Sequence, residues 1–493
     1  MSFTARFTAL LRDPHIRIYE IVAFVTGFAL MVFELVASRI LAPTIGSSTY
    51  IWTSVIGVII AALSIGYAVG GWLADKRTAR HDIGWLLLGC TVTITGTLVF
   101  SDLILEAMSR STFDARIQGL LASVILFLPT SFLLGAVSPY LVRLHTASIT
   151  QAGRSVASLS ALNAIGGIVG TFSAGFIFFS VWGSRETLLL VICLLLVCSW
   201  LLTPRHRWQL RAGLSIGVLA ISVQAVNPII QTNTISIDTA SAHYDIVETT
   251  YNDQRLRALA TGPGGYQSGM YPDDPDKLAF SYTQTLAQLT ELSPQKDAIL
   301  ILGGGAYSLP EYLGKALPQS RIDVVEIDPK LEAIAKRYFS YNPPANVRSI
   351  GQDGRAYLNT SKQKYDVIIV DMYSDTSVPF AVSTLEYTRK LQAALHPGGV
   401  VLVNTVGATT PECSPILGAL HSTYQAAFPH YKAYPLQDTT LLSVQNIIVA
   451  YAPRTMPWLP ENKISAPLPK GQILRDNFAP VERLQSNCKA LTT

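Results

Sequence analysis

Residues 298–305 read AILILGGG, five apolar residues followed at once by three glycines. A short apolar run that stops at glycine predicts a buried strand. Glycine lets the next turn pass close to a ligand, because it has no Cβ and tolerates positive φ. Strand-like runs alternate with helical segments after this point, which indicates βαβ units and a parallel sheet. The stretch therefore predicts an open α/β fold that binds its ligand at the carboxyl ends of the strands.

The flanking pattern supplies the other elements of this fold. Helices are predicted at about 277–292, 310–317, 329–338 and 384–395, and strands at about 322–326, 347–350, 365–370 and 400–404. Upstream, residues 241–260 alternate enough to suggest β-strands, and a Gly/Pro-rich turn region then extends to about residue 276.

Carboxylates stand at the ends of several predicted strands. Glu326 lies about twenty residues beyond the glycines, the offset at which a carboxylate can accept both ribose hydroxyls. Asp353-Gly354 follows another short strand, where the carboxylate can accept from an adenine amino group. Asp371 ends the fourth strand, with Asp375 in the loop after it, and a partly desolvated carboxylate can act as a base or hold a cation. The plain alternatives are a structural turn, a surface carboxylate or a helix N-cap.

The N-terminal half has a different composition. Charged residues make up 14% of the chain and its mean hydropathy is +0.33, which is too apolar for an ordinary soluble enzyme. A membrane span needs about 20 apolar residues. Glycine pairs at helix-packing spacing, 66/70, 166/170 and 89/96, predict a compact bundle. Seven spans are predicted, at roughly 19–42, 50–74, 84–107, 117–142, 158–182, 187–202 and 210–227.

With Gln267 and the Phe-Ser-Tyr of 280–282, the glycine, Glu326, Asp353 and Asp371 motifs resemble the spermidine synthase (polyamine aminopropyltransferase) family, and specifically its membrane-fused bacterial members. The resemblance covers roughly residues 241–450. It implies an N-terminal multi-span α-helical membrane bundle of about seven helices, fused to an α/β Rossmann-like methyltransferase fold with a small β N-terminal subdomain. The predicted domains are a transmembrane domain at 1–230, a β-rich lead-in at 231–290 and a catalytic domain at 291–493.

The resemblance also implies a set of site residues. Asp371 is the catalytic carboxylate, with Tyr282 lining the same pocket and Asp375 in the following loop. The expected substrate-binding or nucleoside-binding residues are Gln267, Gly303, Gly304, Gly305, Glu326, Asp353, Gly354 and Tyr244.

Three positions depart from the family pattern. Ala306 stands where the family carries an Asp that holds the aminopropyl amine, the second Asp of the loop is displaced by one residue to Asp375, and Thr283 replaces a Gln after Tyr282. Losing an anion weakens binding of decarboxylated adenosylmethionine and of a diamine, and it removes repulsion against a carboxylate. Intact adenosylmethionine is therefore also a candidate substrate.

These observations predict an enzyme that cleaves the sulfonium of S-adenosylmethionine, or of its decarboxylated form, at the three-carbon side chain and releases 5'-methylthioadenosine. Aminopropyl-type transfer and a lyase-like intramolecular cyclisation both stay open. The alternatives are methyl transfer, or a transporter or sensor whose soluble domain binds a nucleoside or polyamine. Glu34 and Arg39 in the first span and the transporter-like stretch 71–77 favour the transporter.

The expected partners are a small-molecule substrate and the lipid bilayer. No metal or further cofactor is expected, because the sulfonium is already a good leaving group. Nucleic acid is not expected either, because the C-terminal half lacks a basic cluster with interleaved aromatics. The interpretation leaves room for a homodimer.

The sequence places the protein in a cell inner membrane as a multi-pass protein. Basic residues concentrate before the first span and in the even-numbered loops, so the N-terminus is expected in the cytoplasm. Seven spans then put the C-terminal half outside, whereas adenosylmethionine-type substrates are cytosolic. A disulfide between Cys413 and Cys488 would indicate an oxidising compartment, but the sequence leaves open whether the two residues meet.

Overall fold

The computed structural model describes residues 14–46, 48–77, 79–111, 113–146, 152–202, 208–226, 234–239, 241–262, 265–372, 378–485 and 488. These residues form two compact units. The first comprises the helices up to residue 226 together with Asp238 and Thr239, and the second begins at Thr234 and otherwise holds the rest of the chain.

The described part of the first unit contains seven helices that are long and apolar enough to cross a membrane, which confirms the predicted number. Helix α5 continues through a π-helical turn, Ala174–Phe178, to Val181. The helices are α1 (Pro14–Ile45), α2 (Thr49–Lys76), α3 (Arg80–Ser109), α4 (Ala115–His145), α5 (Ala152–Ser173), α6 (Ser184–Leu201) and α7 (Trp208–Val226).

Glycines bring pairs of these helices into backbone contact. A Cβ on Gly166 would lie 2.0 Å from the carbonyl oxygen of Phe24, and one on Gly66 would lie 2.2 Å from that of Phe132. Close approach therefore joins α1 to α5 and α2 to α4, as the spacing of these glycines predicts. The 89/96 pair does not repeat this contact, because the space beside Gly96 is open.

Cationic side chains within the bundle have partners. The Arg39 guanidinium donates to the carbonyl oxygen of Thr239, lies 3.9 Å from the Asp238 carboxylate and covers the Phe179 ring at 4.5 Å. Asp238 also accepts from the main-chain N–H of Ser184, the first residue of α6, at 2.7 Å. Both ends of this interaction belong to the first unit.

Arg211, a charged residue near the start of the seventh span, is only 1% exposed. Its guanidinium donates to the carbonyl oxygens of Ser199 at 3.2 Å and His81 at 3.3 Å, and it covers the Trp85 ring at 4.4 Å. These contacts place the start of α7 beside the end of α6 and the start of α3.

The second unit starts with a five-stranded antiparallel sheet in the order β1 to β5. Its strands are β1 (Thr234–Asp238), β2 (His243–Tyr251), β3 (Gln254–Ala260), β4 (Ser268–Tyr271) and β5 (Asp274–Leu278). Helix α8 (Ser281–Glu291) follows. The predicted turn to residue 276 and helix start at 277 are therefore wrong, because this stretch pairs with β4 as an edge strand, where Pro275 is tolerated.

A seven-stranded mixed sheet follows in the order β11-β12-β10-β9-β6-β7-β8, which confirms the Rossmann-like α/β prediction. Strands β6 to β10 run parallel, and β12 is antiparallel to both β10 and β11. The strands are β6 (Ala298–Leu302), β7 (Arg321–Glu326), β8 (Val347–Gly351), β9 (Tyr365–Val370), β10 (Leu395–Gly407), β11 (His430–Pro435) and β12 (Gln445–Ala452). The helices are α9 (Ser308–Ala316), α10 (Leu331–Tyr338), α11 (Gly354–Thr360), α12 (Leu385–Ala394), α13 (Ser414–Gln425) and α14 (Val481–Gln485).

Residues 468–485 and Cys488, here called the C-terminal segment, pack along α12 and α13. The carbonyl oxygen of Leu474 accepts a hydrogen bond from Leu385 N–H at 2.8 Å, and the N–H of Leu474 donates to Thr423 Oγ1 at 2.9 Å. A disulfide joins Cys413 to Cys488, with their Cα atoms 4.5 Å apart. The C-terminal segment is thus covalently attached beside the start of α13.

Candidate active site

The turn after β6 brings main-chain atoms close to the end of β9. Gly303 has a φ of +102°, and a Cβ there would lie 2.2 Å from the carbonyl oxygen of Asp371. Gly305 has a φ of +52° and packs against the Ser268 side chain, whose hydroxyl accepts from Ala306 N–H at 3.0 Å. Both the conformation and the close approach therefore require glycine at position 303.

Glu326 lies at the end of β7, next to this turn. Its Oε2 accepts from Gly304 N–H at 2.8 Å and its Oε1 from Asp328 N–H at 2.9 Å. The residue is 8% exposed, and burial raises the pKa of its carboxyl. Each carboxylate oxygen has a further lone pair, so the group can still accept hydrogen bonds from a ligand.

Tyr244 is 4% exposed and reaches this region from β2. Its hydroxyl donates to Asp328 Oδ2 at 3.0 Å, while Lys330 N–H donates to Asp328 Oδ1 at 2.9 Å. The structure thus places Tyr244 behind the turn that holds Glu326, where it orients Asp328.

Asp371 stands at the end of β9, beside Gly303. Its Oδ1 accepts from Asn404 Nδ2 at 2.8 Å, and Asn404 Oδ1 accepts from Asn446 Nδ2 at 3.0 Å. Burial raises the pKa of the Asp371 carboxyl to about 6, although the hydrogen bond from Asn404 acts in the opposite direction. A carboxylate of this kind can accept a proton close to neutral pH.

Gln267 and Tyr282 lie close together. The Tyr282 hydroxyl donates to the carbonyl oxygen of Gln267 at 2.7 Å. Burial, and then the charge of Asp371, raise the pKa of Tyr282 well above its ordinary value. The side-chain Nε2 of Gln267 is buried and has no hydrogen-bond partner within the described part of the chain. A buried donor of this kind is costly unless a ligand accepts from it.

Asp353 acts as the N-cap of α11, because its Oδ1 accepts from Ala356 N–H at 2.8 Å. The residue is exposed, so its carboxylate also remains accessible. Next to it, Gly354 is buried, and a Cβ there would lie 2.8 Å from Met372 Sδ. The structure places these residues near the end of β9, and Asp375 lies outside the described residues.

Sequence reasoning missed three residues of this region. Asn404 donates a hydrogen bond to Asp371, and Ser268 accepts one from the glycine turn. Ile327, which follows Glu326, is 59% exposed. The polar Asn404 at the end of a predicted apolar strand was a usable signal. Ser268 and Ile327 gave none. Within the described ranges, no group of three His, Cys, Asp or Glu side chains could hold a metal ion.

A sequence profile described as the spermine/spermidine synthase domain matches residues 279–439. A polyamine aminopropyltransferase from Vibrio vulnificus is 32% identical over 205 residues, which cover 40% of this chain and 67% of that protein. The chain belongs to the spermine/spermidine synthase family. The enzymes of this family are transferases.

Two further relatives match shorter parts of their own length. A probable polyamine aminopropyl transferase from Bifidobacterium longum is 38% identical over 127 residues, 26% of this chain and 28% of that protein. The human eEF1A lysine and N-terminal methyltransferase is 30% identical over 121 residues, 22% of this chain and 17% of that protein. Among solved structures, a probable spermidine synthase from Corynebacterium glutamicum aligns with a TM-score of 0.40 at 20% identity, over 46% of this chain and 82% of that one.

Proposed function

We propose that this chain is a membrane-integrated enzyme that acts on the three-carbon side chain of an adenosylmethionine-type sulfonium and releases 5'-methylthioadenosine. The observation that carries the proposal is the Asp371 carboxyl, which lies beside the glycine turn with a pKa raised to about 6 by burial. The relatives named polyamine aminopropyltransferase support the same chemistry. The proposal keeps the domain boundaries 1–230, 231–290 and 291–493, except that Asp238 and Thr239 belong to the first unit.

The proposed substrate pose follows from the free hydrogen-bonding capacity of the site. Ribose hydroxyls donate to Glu326, and the adenine base packs on the exposed Ile327 side chain, with its amino group directed at Asp353. The unpaired amide of Gln267 donates to the side-chain end of the substrate. The sulfonium then lies near Asp371, whose negative charge stabilises it.

In the proposed reaction a nucleophile attacks the Cγ of the side chain, the Cγ–S bond breaks, and its electron pair passes to sulfur. The leaving group is the neutral thioether methylthioadenosine. With an external amine, Asp371 accepts the ammonium proton formed by the attack. With intact adenosylmethionine, the substrate's own carboxylate closes a lactone and no proton has to be removed, so Asp371 acts through its charge alone.

Ala306 favours intact adenosylmethionine as the substrate. The side chain at this position is apolar and only 2% exposed, so it offers no anion to an aminopropyl ammonium group. A substrate that carries a carboxylate meets no repulsion there. Cyclisation is therefore the form of the reaction that we propose first, with aminopropyl transfer second.

The test is product analysis with the purified full-length chain. Adenosylmethionine and its decarboxylated form are incubated separately, with and without a diamine, and the products are identified by mass spectrometry. Methylthioadenosine from wild type but not from Asp371→Asn is expected, with exposed Asp297→Asn as the matched control that retains activity. Absence of methylthioadenosine under every condition would contradict the proposal, and adenosylhomocysteine would indicate methyl transfer instead.

A transporter or sensor is the second candidate, because Glu34 places an ionisable group within α1, where it is only half-buried. Ligand-dependent uptake into proteoliposomes that persists in Asp371→Asn would support this candidate over catalysis.

We further propose that the chain is a multi-pass inner-membrane protein with a cytoplasmic N-terminus and a catalytic unit on the opposite side, so that a substrate made in the cytosol has to cross the membrane to reach it. Asp238 lies shortly before Ser241, where the second unit resumes, and it pairs with Arg39 near the end of α1. Lys76 and Arg80 flank the connection from α2 to α3, at the other end of the bundle. Basic residues mark the cytoplasmic end, so the chain leaves the bundle at the outer end, and the Cys413–Cys488 disulfide is consistent with an oxidising compartment.

Labelling of single cysteines in intact cells tests this topology. In a background that carries Cys193→Ser, exposed Lys362→Cys reports on the second unit and exposed Arg154→Cys on the basic end of the bundle. A membrane-impermeant maleimide is expected to label Lys362→Cys without permeabilisation and Arg154→Cys only after it. The reverse pattern would place the catalytic unit in the cytoplasm.

A further inference from the structure

Asn404 and Asn446 connect Asp371 to the antiparallel part of the sheet. We propose that these two amides form a relay that positions the Asp371 carboxylate and sets the pH at which it is ionised. They act as positioning residues, and this inference rests on the proposed role of Asp371 as the working carboxylate. The contacts run in series, from Asn446 Nδ2 to Asn404 Oδ1 at 3.0 Å and from Asn404 Nδ2 to Asp371 Oδ1 at 2.8 Å.

The chemistry of the groups fixes the direction of the relay. An ionised carboxylate only accepts hydrogen bonds, so Asn404 must present its NH₂ group to Asp371 and its carbonyl oxygen to the other side. Asn446 can then donate to that oxygen. In the register of β10 and β12, Asn404 is opposite Ile448 and Val406 is opposite Asn446, so the two amides lie on one face of the sheet.

The environment of the relay allows it to control the charge of Asp371. Asn404 is 6% exposed, and buried hydrogen bonds to a charged acceptor are stronger than those in water. The titratable group that interacts with Asp371 from α8 is Tyr282, whereas the partner of Asp371 from β10 is the neutral amide of Asn404. Because Asn404 engages Oδ1, we assign Oδ2 to the reacting group of the proposed reaction.

The experiment compares Asn404→Leu, Asn446→Leu and the double variant in the full-length chain. Leucine keeps the branching and the number of side-chain heavy atoms of asparagine, and Thr405→Val on the opposite face of β10 is the matched control. One readout is the pH profile of methylthioadenosine release. The other, which needs no turnover, is the pH at which a water-soluble carbodiimide labels half of Asp371, measured by peptide mass spectrometry, since carbodiimides react with the protonated carboxyl.

Asn404→Leu is expected to move both midpoints upward by about one pH unit, because the ionised form loses a donor. Asn446→Leu is expected to move them less. The double variant is expected to match Asn404→Leu alone, because Asn446 acts only through Asn404.

An unchanged midpoint in Asn404→Leu would overturn the inference, and so would additive shifts in the double variant. Thr405→Val must leave both midpoints in place, and a shift there equal to that of Asn404→Leu would likewise overturn it. If wild type releases no methylthioadenosine, the proposed function fails, yet the labelling midpoints still decide whether the relay controls Asp371.

Discussion

Burial of Asp371 makes the stability of the folded protein depend on the ionisation of its carboxyl. Its pKa in the folded protein is about 6, above the ordinary value of 3.8, so the folded state binds the proton more readily than the unfolded state. The free energy of unfolding therefore falls as pH rises from about 3.8 through 6, and this loss is complete above that range. The same ionised carboxylate is the form that the proposed reaction needs.

Asp371→Asn is accordingly expected to be more thermostable than wild type at pH 7.5 and nearly equal to it at pH 4. Wild-type kcat/KM is expected to fall as pH drops through about 6. Thermal unfolding at the two pH values and the pH profile of product release check both expectations. Exposed Asp297→Asn should show neither effect, and equal unfolding temperatures of Asp371→Asn and wild type at pH 7.5 would contradict the argument.

Gly303 has a positive φ and also lies against the backbone of Asp371. Comparison with Gly398, which has only the positive φ, separates the energetic costs of the two features. Gly398 has a similar φ of +93°, but a Cβ there would meet only the Gln295 side chain at 3.4 Å. Gly398→Ala is expected to cost about 1 kcal/mol of conformational strain. Gly303→Ala is expected to cost several kcal/mol, because it also displaces Asp371, and its residual product release should fall much further. Denaturant unfolding of both variants provides the comparison.

At the scale of elements, the sequence predicts best what burial alone determines. Strands β6 and β9 begin and end at the predicted residues, since each is a fully buried run. The prediction for the stretch before α8 was wrong, because the residues of Asp274–Leu278 do not themselves favour a strand. They form one because they pair with β4. The partnership of Asn404 with Asp371 likewise depends on β10 lying beside β9, which no local pattern contains.

Helix packing in the first unit gives a prediction at the same scale. Gly166→Ala in α5 places a methyl group 2.0 Å from the carbonyl oxygen of Phe24 in α1, so the two helices must separate. We expect a loss of about 1–3 kcal/mol. Gly57→Ala in α2, where the added Cβ meets nothing within 4 Å, is the control and should cost little. Thermal unfolding in detergent measures the difference, and equal stabilities would argue against close packing of α1 and α5.

For the molecule as a whole, the C-terminal segment links the disulfide to α11, next to the proposed adenine-binding residue Asp353. Asp476 accepts from Arg355 in α11 at 2.5 Å and from Thr384 Oγ1 at 2.7 Å. The Cys413–Cys488 bond closes a loop with a sequence separation of 75 residues, and Asp476 lies within this loop while Arg355 and Thr384 lie outside it. The segment therefore holds the helix that Asp353 caps.

Replacing both Cys413 and Cys488 by Ser is expected to lower the free energy of unfolding by about 2–4 kcal/mol. It should also weaken binding of methylthioadenosine, because α11 loses part of its support. Denaturant unfolding and calorimetric titration measure the two effects, with the free and exposed Cys193→Ser as the matched control. Unchanged stability and affinity would show that the segment stays in place without the covalent bond.

The position of Asp238 has a practical consequence for anyone who divides this protein into fragments. A helical fragment that ends at Val226, the last residue of α7, would lack Asp238. The carboxylate of Asp238 accepts from Ser184 N–H and pairs with Arg39. The first unit is therefore discontinuous in sequence. A fragment that keeps it whole has to include Asp238 and Thr239, and so also contains the segment that supplies the first strand of the other unit.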